Sequence, residues 1–451
     1  MIRDAIERYH SLLNDQVALE AQAALNAHFR ARKLYFGSRP ICTVLRPHFY
    51  FPDQWSYLTR QTEVLLKAFA KAQQAAMLDS KLRQQLALEP YEEELFGIDI
   101  GFEAPWTTSR LDSFFDPETR RLRFVEYNAE TPAGMGYCDH LSDAFLELHV
   151  MKRFQQYYET RSFTAMRSLL ATLIEAWKQF GGRYMPQIGI IDWQDVPTLN
   201  EHEIIREYFE EHGIKARLAD PRELEYRDQA VFAGDFRVDM IYKRVLCSEL
   251  IQRMGLDNPV VQAVRDRAVM MTNAFSAKLM AKKASFALLS DERNAHLFTE
   301  AECIAIETHI PWTRIIEERK TQFHGREVDL LPFIKENQDS LVLKPNDEYG
   351  GKGVLIGWET TPEEWAETLQ SALVNPYVVQ ERVDAVYENF PTVINGKLNV
   401  SPRLVDADPY VFQGRTVSGC LTRLSSVTLL NVTAGGGSLA PTFIIHKSEG
   451  A

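Results

Sequence analysis

Residues 341–358, LVLKPNDEYGGKGVLIGW, restrict the fold more than any other part of the chain. A lysine closes a run of strand-forming residues, an acidic glycine-rich turn follows, and a second apolar run returns. This pattern predicts a β-hairpin. Gly350, Gly351 and Gly353 let backbone N–H groups approach phosphate oxygens, and Lys344 adds a point charge beside them. The GxxxxGK[ST] spacing is absent and a strand follows the glycines, so this is not a Walker A loop opening a helix. An ordinary hairpin with a glycine turn and a surface Lys352 accounts for the same residues.

Three further segments carry polar groups in strand spacing. In FVEYNAET, residues 124–131, Glu126 and Asn128 sit two apart and so point to one face. Asp112 lies on the preceding arm of the hairpin predicted around Asp116-Pro117, with Arg110 two residues before it on the same face. Two carboxylates and an amide oxygen form a hard-oxygen set suited to Mg²⁺, and the arginine suits a phosphate. Acids on an exposed hairpin face are also common. In YVVQER, residues 377–382, an apolar strand ends in Gln380 and Glu381, which in a nucleotide site offer backbone groups to adenine and a carboxylate to ribose. In VSGCLTRLS, followed by the glycine run 435–437, Arg423 is flanked by apolar residues and needs an anion partner. A ligand or a structural salt bridge meets that need.

The remainder sets bounds. A length of 451 residues suggests two or three folded units, and 45% hydrophobic with 25% charged residues is ordinary globular composition. The net charge of −12 gives a nucleic-acid partner no support. Five scattered cysteines without CxxC spacing argue against a disulfide framework and a zinc site, and fit a reducing cytoplasm. No stretch reaches ~18 consecutive apolar residues, so neither a membrane span nor secretion is expected. Helical spacing dominates up to about residue 90, with 41–50 unassigned. Helices are predicted over 141–154 and 165–180, an α/β alternation over 185–250, a helical stretch over 257–295, and an α+β unit to the end.

Together the four segments resemble the ATP-grasp superfamily, specifically its circularly permuted branch that includes the synthetase domain of glutathionylspermidine synthase. Most ATP-grasp enzymes place the acidic metal-binding strand after the lysine-bearing strand. Here EYNAET precedes LKPNDEYGGKG by more than two hundred residues. The resemblance implies an α/β and α+β chain with four parts: a helical N-terminal layer (1–95), the metal-binding part of a permuted ATP-grasp unit (96–150), a pre-ATP-grasp α/β substrate domain (151–270) and a nucleotide-binding region (271–451).

The resemblance further implies that Asp112, Glu126 and Asn128 hold Mg²⁺ and that Arg110 contacts the transferred phosphoryl group. Lys283 in KKASFALLSDER is similar to the first ATP lysine of the family, with Lys282 as the adjacent alternative. Lys344 is similar to the second, Gln380 and Glu381 to the hinge strand, and Arg423 to a late arginine. The implied activity is an ATP-dependent carboxylate–amine ligase acting through an acyl phosphate. Its partners would be a small-molecule or peptide carboxylate and an amine, with no nucleic acid or membrane. A kinase or a catalytically silent nucleotide sensor would use the same fold. Around residues 185–250 only Asp192, Lys243 and Arg244 lie near strand ends to read a substrate, and a structural role explains each better than ligand binding does.

Overall fold

The chain reverses at Asp116 because its carboxylate caps the turn. One oxygen accepts from the Glu118 N–H at 3.0 Å and the other from the Thr119 hydroxyl at 2.7 Å. In this computed structural model, which describes residues 2–348, 350–426 and 437–448, the arms are Thr108–Asp116 and Arg121–Asn128. Asp112 pairs directly with Glu126 and Arg110 with Asn128, so all four side chains share a face. A register shift after Asp112 leaves Val125 without a partner.

This hairpin is one edge of a seven-stranded antiparallel sheet. Asp408–Phe412 lies beside Thr108–Asp116, followed by Thr416–Ser425, Lys397–Val405 and Tyr387–Ile394, with Gly437–Ala440 also on Thr416–Ser425. Strands from the two halves of the chain therefore pair directly. Helix Pro52–Leu78 of the N-terminal layer backs the hairpin, its Phe69 ring 4.6 Å from Tyr127 and 5.6 Å from Phe286. Burial of such a ring contributes about 1.5–3 kcal/mol.

The 341–358 segment lies in a second antiparallel sheet, ordered Thr313–Ile315, Tyr377–Glu381, Leu341–Pro345, Leu355–Ile356. Its return strand is shorter than the GVLIGW pattern predicts. A 3₁₀ turn takes over at Gly357–Glu359, where the backbone passes so close to the Gln338 carbonyl that a Cβ on Gly357 would lie 1.8 Å from the oxygen. Trp312, Leu341, Leu343, Trp365 and Val379 form the core of this unit.

The predicted α/β alternation is a parallel sheet ordered Met270–Thr272, Met240–Lys243, Ile188–Ile191, Ala216–Ala219. Its central strands are buried along their whole length, Lys243 included, because both faces are covered. Two expectations need correction. The stretch 257–295 is not helical throughout, since Met270–Thr272 forms the fourth parallel strand. The helix predicted over 141–154 starts earlier, as Met135–Glu147, and breaks at Leu148 before His149–Phe154. Helix Ala165–Phe180 forms as predicted and ends at Gly181, whose φ of +106° suits glycine.

Within the unassigned 41–50 segment, His48–Tyr50 joins Thr442–Lys447 and Tyr158–Arg161 in a three-stranded sheet. Among the described residues no helix is long and apolar enough to cross a membrane. Tyr349 of the glycine turn, and Gly435 and Gly436 of the late glycine run, lie outside the described residues.

Candidate active site

A cavity of about 440 Å³ opens between the two antiparallel sheets and is lined from both. The smaller sheet contributes Lys344, whose ammonium donates to Gln380 Oε1 at 2.6 Å and to the carbonyl of Val125, the residue the register shift leaves unpaired, at 3.2 Å. Burial pushes the Lys344 pKa down to about 8; Glu126 pulls it up and Lys283 pushes it further down. Gln380 is also tied to Thr313, donating from Nε2 to its hydroxyl at 3.1 Å.

Lys283 enters at the start of helix Ala284–Ser290, its Nζ 3.3 Å from Glu126 Oε1 and bonded to the Glu348 carbonyl. Lys282 takes another direction. It is 2% exposed and pairs with Glu92 at 2.8 Å, so Lys283 is the one of the two on the cavity wall. Glu381 meets His324 of the hairpin Lys320–Phe323/Arg326–Asp329 at 2.9 Å. Val342, Ile356, Trp358 and Leu404 form an apolar wall nearby, with the Arg382 guanidinium 4.0 Å over the Trp358 ring.

On the larger sheet two arginines are knotted to three buried aspartates. Arg110 grips Asp112 with Nε at 2.7 Å and Nη2 at 3.0 Å, and its Nη1 donates to the Ala133 carbonyl at 2.9 Å. Arg423 reaches Asp112 at 2.7 Å, Asp406 at 2.6 Å and Asp408 at 3.1 Å. Burial alone would raise the Asp112 pKa, but Arg110 and Arg423 together hold it below the usual carboxylate value. Burial raises Asp406 and Asp408 despite Arg423, with Asp112 pushing them the same way.

The sequence reading did not single out Asp406 and Asp408. The available signal was LVDADPY, two acids at strand spacing between apolar residues.

Of the sequence candidates, Asp112, Glu126, Lys283 and Lys344 line the cavity, as do Gly351, Gln380, Glu381 and Arg423. Arg110, Asn128, Gly350 and Gly353 do not line it. Asn128 lies close enough to Asp112 to lower its pKa, yet its Nδ2 is buried without an acceptor in hydrogen-bonding geometry. Rotating the amide by half a turn aims its oxygen there instead, completing an oxygen face with Asp112 and Glu126. That donor set fits Mg²⁺. Among the described residues no three of His, Cys, Asp and Glu form a ready metal cage.

The glycine turn is held at one end and open at the other. Asn346 is buried, donating to the Leu86 carbonyl at 2.8 Å and accepting from the Ala284 N–H at 2.9 Å. Asp347 lies 2.5 Å from Lys278 and 3.6 Å from Lys282. Beyond it Gly350, Gly351 and Gly353 take φ of +66°, +77° and +70°, a region other residues enter only with strain, and Gly350, Lys352 and Gly353 are exposed.

The early acidic hairpin thus pairs with strands from the end of the chain in one sheet. The model of the family described as circularly permuted ATP-grasp type 2 matches residues 90–425. The chain belongs to that family. It is 27% identical over 233 residues to a Frankia casuarinae protein provisionally named glutamate–cysteine ligase 2-2, covering 49% of this chain and 25% of that one. It is 23% identical over 347 residues to the uncharacterized Synechocystis sp. protein sll0335, covering 72% of this chain and 66% of that one. The chain thus spans only part of these relatives. A solved glutathione synthetase-like effector from Globodera pallida, in its apo form, shares the fold with a TM-score of 0.57 at 13% identity, covering 96% of this chain and 98% of that one.

Proposed function

We propose that the cavity binds Mg·ATP and that the protein uses it to phosphorylate a carboxylate and join it to an amine, as an ATP-dependent ligase. The observation that carries this reading is the convergence of Glu126, Lys283, Lys344 and Arg423, from four separate stretches of chain, on one cavity with an apolar wall. Family membership and the reaction class in the Frankia relative's name support it. The narrower, glutathionylspermidine synthase-like form rests on the motif resemblance alone. Free cysteines at all five positions fit a reducing cytoplasm.

In this reading the apolar wall takes adenine, Gln380 and the hinge backbone read its edge, and Glu381 accepts from the ribose. The open end of the glycine turn covers the phosphates, with Lys283 and Lys344 neutralising their charge. Asp112, Glu126 and Asn128 hold Mg²⁺, which when bound supplies charge neutralisation between phosphate oxygens. Lys283 and Glu126 are paired with each other at 3.3 Å, and with nucleotide and cation bound Lys283 would face phosphate and Glu126 would help hold the cation.

An acceptor carboxylate oxygen then attacks the γ-phosphorus, the bond to the β-phosphate oxygen breaks, and ADP leaves. The amine displaces phosphate from the acyl carbon. Positioning and charge stabilisation do this work. A carboxylate nucleophile needs no general base, whereas a hydroxyl would. The carboxylates here are committed to arginines, lysine or histidine.

The test is product analysis with Mg·ATP. ADP and free phosphate should appear only with both an acid and an amine, and hydroxylamine should trap a hydroxamate. A stable phosphate ester would make the protein a kinase, and nucleotide binding without turnover a sensor.

A further inference from the structure

Open α/β sheets hold ligands at the carboxyl ends of their strands. At that edge of the parallel sheet, polar side chains crowd around Arg244. Arg244 follows strand Met240–Lys243, Asp192 follows Ile188–Ile191, and Glu201 and His202 lie in the first turn of helix Leu199–Glu211. The Arg244 guanidinium lies 5.5 Å from the centre of the Tyr242 ring. Arg244 is 6% exposed, and Glu201, His202 and Tyr242 are 1% exposed.

Three atoms in this cluster have no hydrogen-bond partner, Arg244 Nε, Glu201 Oε2 and His202 Nε2, while the Tyr242 hydroxyl sits between Arg244 and Thr108. His202 Nε2 comes to 3.6 Å from Asp192 Oδ2. Buried polar atoms are nearly always paired, so a single orphan asks for an explanation and three in one cluster ask for a common one.

One loop covers the cluster. Arg244 donates to the carbonyls of Pro132 at 2.6 Å and Thr131 at 3.5 Å, and Glu201 Oε1 accepts from the Gly134 N–H at 2.7 Å. The Ala133 carbonyl of the same loop receives Arg110 at 2.9 Å. Residues 131–134 therefore stand between the cluster and the Arg110–Asp112 face of the proposed nucleotide site.

We propose that this cluster is a substrate subsite for a small molecule bearing a free ammonium and a free carboxylate, an α-amino-acid group, admitted when loop 131–134 is displaced. The proposal rests on the ligase reading and deepens it by naming a substrate class. Arg244 Nε is the free donor for the carboxylate, while Glu201 Oε2 and Asp192 are acceptors for the ammonium.

The charge around the cluster points the same way. Burial raises Asp192 to about 6 and raises Glu201 also, Arg244 opposing in both, while burial lowers His202 to about 3 and keeps it neutral. Lys243 is already paired with Glu130 at 3.1 Å. Arg244 is the leading cation on both carboxylates, with Arg110 also acting on Glu201 and Lys243 on Asp192, yet burial still raises both; an entering ammonium favours their charged forms, which a simple anion does not.

The experiment is a thermal-shift and calorimetric screen of the full chain against the L-α-amino acids and their dipeptides, with N-acetyl and α-amide derivatives of each, and Mg·ATP in parallel. At least one zwitterion should bind and its blocked derivatives should not. Arg244→Gln should weaken that binding about tenfold or more, as expected for a charged hydrogen bond, and keep the Mg·ATP shift. Glu201→Gln removes the charge offered to the ammonium but keeps an acceptor for the Gly134 N–H, and it decides the matter if Arg244→Gln does not fold.

Failure of every zwitterion, equal binding of blocked derivatives, or unchanged binding in the variants overturns the subsite. If zwitterions bind and Mg·ATP does not, the subsite stands and the nucleotide reading fails.

Discussion

Arg423 and Asp112 are 311 residues apart in sequence, and Arg423 Nη2 donates to Asp112 Oδ2 at 2.7 Å. The contact stitches the late strand to the early hairpin in the middle of the large sheet. Replacing Arg423 with Met leaves Asp112, Asp406 and Asp408 facing Arg110 alone. Stripping one partner from a buried ion cluster typically costs about 3–5 kcal/mol, and urea unfolding of Arg423→Met should show a loss of that order. Arg423→Lys should recover only part of it, because an ammonium lacks the planar fork that spans several carboxylates.

Glu126 tests the metal reading with little structural disturbance. Its side chain is 33% exposed and its charge partner is Lys283 at 3.3 Å. Such a partly solvated pair is worth about 1 kcal/mol or less, so Glu126→Gln should melt close to the wild type. Turnover, and the stabilisation Mg²⁺ adds to ATP, should be lost. Full activity in Glu126→Gln would remove Glu126 from the cation site.

Lys344 sets a pH dependence whose sign follows from its depressed pKa. An unperturbed lysine keeps its proton up to 10.5, whereas folded Lys344 releases it near 8. Between those values the unfolded chain binds more protons, so this group adds stability as pH rises from about 8 to about 10. Phosphate binding has the opposite preference, because it needs the charged form. ATP affinity should therefore fall above pH 8, by up to about tenfold per pH unit, with proton uptake visible when calorimetry is repeated in buffers of different ionisation enthalpy. Lys344→Met should bind weakly and lose that dependence. A flat affinity from pH 7 to 10 in the wild type would take Lys344 out of the phosphate site.

Asp347 ties the glycine turn to the body of the protein. It pairs with Lys278, which also meets Glu130 at 3.2 Å, and Glu130 in turn meets Lys243 at the end of a parallel strand. Burial works against the Glu130 carboxylate, but Lys243 and Lys278 hold its pKa at about 2, so Glu130 stays ionised across the neutral range. Asp347→Asn should raise hydrogen exchange in residues 347–353 and weaken ATP several-fold, with a smaller effect on global melting. Unchanged exchange there would mean that Asn346 and the Lys283–Glu348 contact hold the turn without Asp347.

The parts of the site that obey a short spacing rule were legible from the residues. Glu126 and Asn128 two apart on a strand predict one face, and the hairpin register brings Asp112 opposite Glu126 as that rule requires. The central parallel strand Ile188–Ile191 was legible as an apolar run.

What escaped was set by distant partners. Met270–Thr272 is too short to show a period and becomes a strand only because Met240–Tyr242 lies beside it. Lys282 and Lys283 are indistinguishable as neighbours; Glu92 draws one inward and Glu126 the other toward the cavity. Asp406 and Asp408 read as ordinary acids until Arg423 is placed between them. The crowding at Arg244 arises from a helix, two strands and a loop, and no local pattern announces it.

The most direct test of the central claim is a crystal structure of the protein with Mg²⁺ and a non-hydrolysable ATP analogue. The account predicts the triphosphate between Lys283 and Lys344, the cation on Asp112, Glu126 and Asn128 with the Lys283–Glu126 pair broken, and adenine against the Gln380–Arg382 strand end. An analogue bound outside this cavity, or a cation placed on Asp406 and Asp408 with Glu126 still paired to Lys283, would contradict it.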